Sequence, residues 1–201
     1  MSQPARSPQP VLISPATLVL CGMIAFTIAY RLLVHYAAGA MPWNFTPVEA
    51  MALFGGAYFA NRKLAIAVPL IAMACADIVI AFSLPFSEVI DWLMVMPVIY
   101  GCVALTAFAG FALRGRVRVW NTLVAAAASA TGFYLITNFF TWATTTLYPH
   151  TAAGLLTCYI AGWPFYQHGS LPGTVLWTAV LFGGFALLGR RWSALRLTAA
   201  H

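Results

Sequence analysis

The sequence predicts an all-α membrane protein: a bundle of six transmembrane helices, with a re-entrant or interfacial helix in the fifth loop. Three observations carry this. Of 201 residues, 62% are hydrophobic and only 7% are charged, whereas soluble domains carry about 25% charged residues. Apolar runs approaching the ~20 residues a helix needs to cross a bilayer recur along the chain. Basic residues fall in alternate connections between those runs. The net charge of +6 does not point to nucleic acid, because the ten basic residues read as thinly spread charges at segment ends.

Residues 1–15 form a Pro- and Ser-rich tail with four prolines and no apolar core, so no cleavable signal peptide is expected. The membrane domain occupies 16–190, and 191–201 is a short basic tail. The first span, 16–36, carries the small pair Ala25 and Ala29 on one face, which lets another helix approach closely. After a loop at 37–46, Thr46, Pro47 and Glu49 form a capping-box pattern that opens the second span, 47–60. That span is short and contains Phe54-Gly55-Gly56-Ala57, where missing side chains allow close approach. Asn61-Arg62-Lys63 closes it.

The third span, 64–84, contains Cys75 and Asp77. The connection 84–91 holds Glu88 and Asp91 and no base. The fourth span, 92–113, has Pro97 in its first turns, where a missing N–H does least harm. Arg114, Arg116 and Arg118 follow as the densest basic cluster. The fifth span, 119–141, ends in aromatics mixed with Thr137 and Asn138. Residues 143–170 are too apolar for an ordinary loop, and 152–163 reads as a short helix closed by Pro164. The sixth span, 171–189, precedes Arg190, Arg191 and Arg196.

With six spans, Arg6, Arg62, Lys63, the Arg114–Arg118 cluster and the C-terminal arginines share one side. The loops 37–46, 84–91 and 143–170 contain no Lys or Arg. Both termini are therefore expected in the cytoplasm. The third span then enters from inside, and Cys75 lies about 16 Å deep, at ~1.5 Å per residue.

Asp77 is the carboxylate expected at membrane depth. An ionised Asp there costs about 2.5–3.5 kcal/mol, so it should face protein, bonded to a neighbour such as Asn138 or Thr137. Cys75 lies about 200° from Asp77 around the helix and shares a face with Ile71, Ala72, Ile78 and Phe82. The four cysteines, Cys21, Cys75, Cys102 and Cys158, lack zinc or CxxC spacing. No catalytic triad, phosphate loop or HExxH motif occurs. Aromatic and polar residues crowd the base-free loops, which suits a pocket opening outward to a large, partly aromatic ligand. An interfacial aromatic belt is the alternative reading.

Several stretches resemble a known family: Asn44-Phe45-Thr46-Pro47-Val48, Leu53-Phe54-Gly55-Gly56-Ala57, Thr137-Asn138-Phe139, Tyr148-Pro149 with Gly154-Leu155, and Cys158-Tyr159 with Pro164-Phe165. They are similar to small six-span bacterial membrane proteins of the S-component type, the vitamin-binding subunits of energy-coupling-factor transporters. The resemblance spans about residues 16–190 and implies residence in the bacterial inner membrane. Cys75 resembles the cysteine of the solitary cobalamin-binding BtuM group. That likeness implies a thiolate that coordinates corrin cobalt and assists removal of cyanide from cyanocobalamin. Cobalamin would be a transported ligand rather than a cofactor. The Ala25/Ala29 pair resembles the motif by which S-components dock on a transmembrane coupling subunit and, through it, ATPases.

The candidate ligand contacts are Cys75, Asn44, Phe45, Phe82, Asn138, Trp142, Tyr159, Tyr166 and His168. Three functions are in play: corrinoid uptake with Cys75 as cobalt ligand, uptake of another small molecule with Cys75 merely structural, and a non-transport scaffold or assembly subunit.

Overall fold

The computed structural model describes residues 15–37 and 41–191; the N-terminal tail up to residue 14 and the C-terminal tail beyond Arg191 lie outside them. The described residues form helices joined by short connections. The elements are α1 (Pro15–Tyr36), α2 (Val48–Tyr58), α3 (Arg62–Ala81), α4 (Phe86–Ala112), α5 (Val119–Thr144), α6 (Ala152–Phe165) and α7 (Leu171–Arg191). A π-helical turn, Tyr166–Ser170, joins α6 to α7.

Side chains set several helix starts. Asn61 accepts hydrogen bonds from the backbone N–H groups of Lys63 (2.9 Å) and Leu64 (3.4 Å) and so caps α3. The Thr151 hydroxyl does the same for α6 through Gly154 N–H, at 3.1 Å. Along α5, Thr131, Thr137 and Thr141 return their hydroxyls to the carbonyls four residues earlier, at 2.8–3.0 Å. Each hydroxyl is thereby satisfied within its own helix, as an apolar surrounding requires.

The α2 helix is the centre of the bundle. Every residue from 48 to 56 is buried, and α3, α4, α5 and α7 all contact it, while α1 packs on α3. Helices α2 and α4 cross backbone to backbone. A Cβ on Gly56 would overlap the Ala107 carbonyl oxygen and stand 2.8 Å from Gly110 Cα. One on Gly110 would overlap the Leu53 carbonyl oxygen and stand 2.9 Å from Gly56 Cα. Only glycine at both positions permits this approach. Arg114 finishes the crossing by donating to the carbonyls of Gly56 (2.8 Å) and Phe59 (2.7 Å) at the end of α2.

Among the described residues, four helical stretches are long and apolar enough to cross a membrane: Arg62–Ala81, Phe86–Ala112, Val119–Thr144 and Ala152–Leu188. Cys21–Tyr36 in α1 is a shorter apolar stretch. At 11 residues, α2 is about 16 Å long, too short to cross a ~30 Å hydrocarbon core alone.

Two expectations about helix limits are corrected. Residues 152–163 are not a separate re-entrant helix closed by Pro164. The helix continues through Pro164 and the π turn into α7, and this single rod runs antiparallel to α5. Tyr159 and Tyr166 meet Tyr134 and Thr131 in turn. Pro164 removes one donor, and the widened turn that follows lets the helix continue. Likewise α4 begins at Phe86, so Pro97 sits inside it rather than in its first turns.

Candidate functional site

The base-free connections gather at one end of the bundle. There, residues 41–47 fold over the start of α7. Asn44 takes a left-handed conformation (φ 64°), which turns this loop inward. Two glycines seat it. A Cβ on Gly169 would overlap the Trp43 carbonyl oxygen, and one on Gly173 would fall 3.1 Å from Phe45 Cα.

Beneath the loop lies a cavity of about 470 Å³, bounded by Tyr30, Arg31 and His35 of α1, by Trp43, Asn44 and Phe45 of the loop, and by Ile80 of α3. Asn44 also lines a smaller cavity of about 170 Å³ formed with Tyr134 and Asn138 of α5 and Tyr166. The loop therefore stands between two hollows, with one residue common to both.

One residue lining the larger cavity, Arg31, is ion-paired. Arg31 Nη2 donates to Asp77 Oδ1 in a part-buried ion pair. The Tyr100 hydroxyl donates to the other Asp77 oxygen at 2.8 Å. The paired side chains are only 19% and 7% exposed. Either charge alone would be costly at this depth, and pairing cancels most of that cost. Asp77 thus faces the bundle and bonds polar partners, as expected. Those partners are Arg31 and Tyr100 rather than Asn138 or Thr137, because α3 packs between α1 and α4.

Arg31 and Glu49 were not anticipated as buried charges. Arg31 is the basic residue that does not sit at a segment end, and a lone arginine in an apolar run is itself a signal for a buried acidic partner. Glu49 does not close a capping box. The Thr46 hydroxyl accepts from Val48 N–H (3.1 Å), while Glu49 turns inward and accepts from the Thr174 hydroxyl of α7. Glu49 is 8% exposed, and its Oε1 has no partner among the described residues. Packing of α2 against α7 keeps Glu49 buried.

The remaining candidate residues divide by location. Asn44 and Phe45 line the larger cavity, and Asn44, Asn138 and Tyr166 the smaller. Tyr159 donates to the Leu135 carbonyl at 3.0 Å, and Trp142 to that of Pro149 at 3.0 Å, so both tie α5 to the α6 region. His168 shares a 2.8 Å hydrogen bond with Gln167. Cys75 is an exposed free thiol. It lies with exposed Ile71, Ile78 and Phe82 along the outer face of α3, whereas Asp77 and Ile80 are on the buried one. Ala25 and Ala29 are exposed on α1, away from its buried Met23, Thr27 and Tyr30.

A helical, membrane-embedded bundle with a loop-covered cavity lined by the arginine of a part-buried ion pair is the class that fold and site define together. The chain belongs to the family described as "Family of unknown function (DUF6580)", which matches residues 12–195. No curated protein and no solved structure matches it.

Proposed function

We propose that this protein is a six-span uptake protein of the bacterial inner membrane that receives a small organic molecule from outside, in the cavity beneath the 41–47 loop. One observation carries the reading: the cavity of about 470 Å³ has aromatic walls and an ion-paired arginine, Arg31, in its lining. A few polar groups set in a largely apolar hollow of this size are what a small-molecule site requires. Arg62, Lys63, Arg114, Arg116 and Arg118 lie at the opposite end from the loop, which under the positive-inside rule supports cytoplasmic termini and an outward cavity. The S-component resemblance supplies the partners: a transmembrane coupling subunit on the Ala25/Ala29 face, and ATPases behind it.

Purified protein tests the reading. Denaturing extraction followed by mass spectrometry should release a small metabolite from wild type, and Trp43→Ala or Asn44→Ala should lower its yield. Wild type that carries and binds nothing contradicts the reading and favours a scaffold role.

A second reading has its own observation, the exposed thiol of Cys75 at mid-helix in α3. A thiolate is a soft ligand suited to corrin cobalt, so cobalamin would be the transported ligand, with Cys75 assisting decyanation. Cys75→Ser should then abolish the thiolate–cobalt absorption band and cyanide release, whereas Cys21→Ser, Cys102→Ser and Cys158→Ser should not. An unchanged cobalamin spectrum in Cys75→Ser ends this reading. The small-molecule reading stands ahead of it because Cys75 and the cavity-lining Ile80 are on different faces of α3.

A further inference from the structure

We infer that the ligand of this cavity is a small planar monocarboxylate, its carboxylate received at Arg31 and its ring laid against Trp43 and Phe45. The inference rests on the uptake reading and narrows its substrate class.

The cavity wall is rich in donors and poor in negative charge. A guanidinium carries five N–H donors. Arg31 directs Nη2 to Asp77, and its Nε is buried without an acceptor among the described residues. The neighbouring Tyr30 is buried with its ring against Trp177 of α7. Both residues line the cavity, and among the described residues no Asp or Glu does. An arginine N–H left without an acceptor is a cost that an acceptor-bearing ligand relieves. The flat fork of an arginine matches a carboxylate in shape. Asp77 already cancels the arginine's charge, so a monoanion fits beside Arg31 better than a phosphate with its second charge. The cavity's second basic side chain, His35, shares a 2.9 Å hydrogen bond with Ser83 and stands on the same helix face as Arg31. Trp43 and Phe45 supply flat apolar surface for a ring.

Asp77 is then the internal competitor for Arg31, which gives the inference a signature that a merely structural ion pair lacks. Matched acid and amide probes test it: benzoate against benzamide, and indole-3-acetate against indole-3-acetamide, by thermal shift and isothermal titration on the full chain in detergent. The acids should raise the melting temperature of wild type and the amides should not. Arg31→Gln should abolish the preference for acids. Asp77→Asn, which frees the guanidinium, should bind the acids at least about tenfold more tightly, roughly the worth of one charge-assisted hydrogen bond.

Because Arg31→Gln could fail to fold, the gain in Asp77→Asn is the deciding measurement. Amides that bind as well as acids, or an Asp77→Asn variant with unchanged or weaker acid binding, overturn the carboxylate assignment and leave the cavity reading intact. If neither member of either pair binds and no metabolite co-purifies, both fall together.

Discussion

Buried charge governs the behaviour of individual residues here. Asp77 is held by Arg31 and Tyr100, so removing its oxygens and removing only its charge should differ. Asp77→Leu leaves Arg31 unpaired at depth, which should cost about 3–5 kcal/mol. Asp77→Asn keeps an oxygen for either donor and should retain the fold. Denaturant midpoints in detergent check this, and equal, near-wild-type values for the two variants would contradict it. At Glu49, the donor among the described residues is the Thr174 hydroxyl. Thr174→Val should therefore cost about 1–3 kcal/mol by leaving a buried acceptor unmet. The same measurement applies, with Thr157→Val as a control, because its exposed hydroxyl bonds only its own helix.

The elements depend on how closely α2 can be enclosed. The α2–α4 crossing has no room for a side chain at Gly56 or Gly110, so Ala at either position should push the helices apart and lower the melting temperature by several degrees. Gly101 lies on the same helix α4, with open space where a Cβ would stand. Gly101→Ala should be neutral or stabilising, by up to about 1 kcal/mol of helix propensity. Opposite signs at two glycines of one helix would separate packing from propensity. The capping of α2 by Arg114 adds a second check: Arg114→Ala frees two carbonyls and should destabilise by about 1–3 kcal/mol, whereas Arg116→Ala should change little.

For the whole molecule, orientation is the property to test. Reporter fusions after Arg116 and after His150 should read cytoplasmic and external respectively. The reverse pattern would place the cavity on the cytoplasmic side and remove the case for uptake from outside. The ends also differ in chemistry. One gathers Arg62 and Arg114 around Phe111, with guanidinium carbons 5.5 and 4.8 Å from the ring centroid. The other gathers the 41–47 loop, the cavity and the aromatic cluster of Tyr134, Tyr159, Trp163 and Tyr166.

By itself the sequence determined the helical membrane class, the approximate limits of α3 and α5, the sorting of bases between connections, and the inward turn of Asp77. These follow from hydropathy, charge and helical period, which act locally and survive any arrangement of neighbours. Asn44, Phe45, Asn138 and Tyr166 could be named as candidates because polar and aromatic groups crowd the base-free connections, but the same signal named Trp142, Tyr159 and His168, which line neither cavity. Tertiary structure decided the rest. Which side chain neutralises Asp77 depends on α1 lying against α3, a relation across 46 positions that no local pattern encodes. Whether Glu49 caps a helix or enters the core depends on Thr174, which is 125 residues away. The passage of the chain through Pro164 depends on α5 supporting both α6 and α7. Cys75 and Ile80 have separate surroundings because only the assembled bundle settles which face of α3 is enclosed.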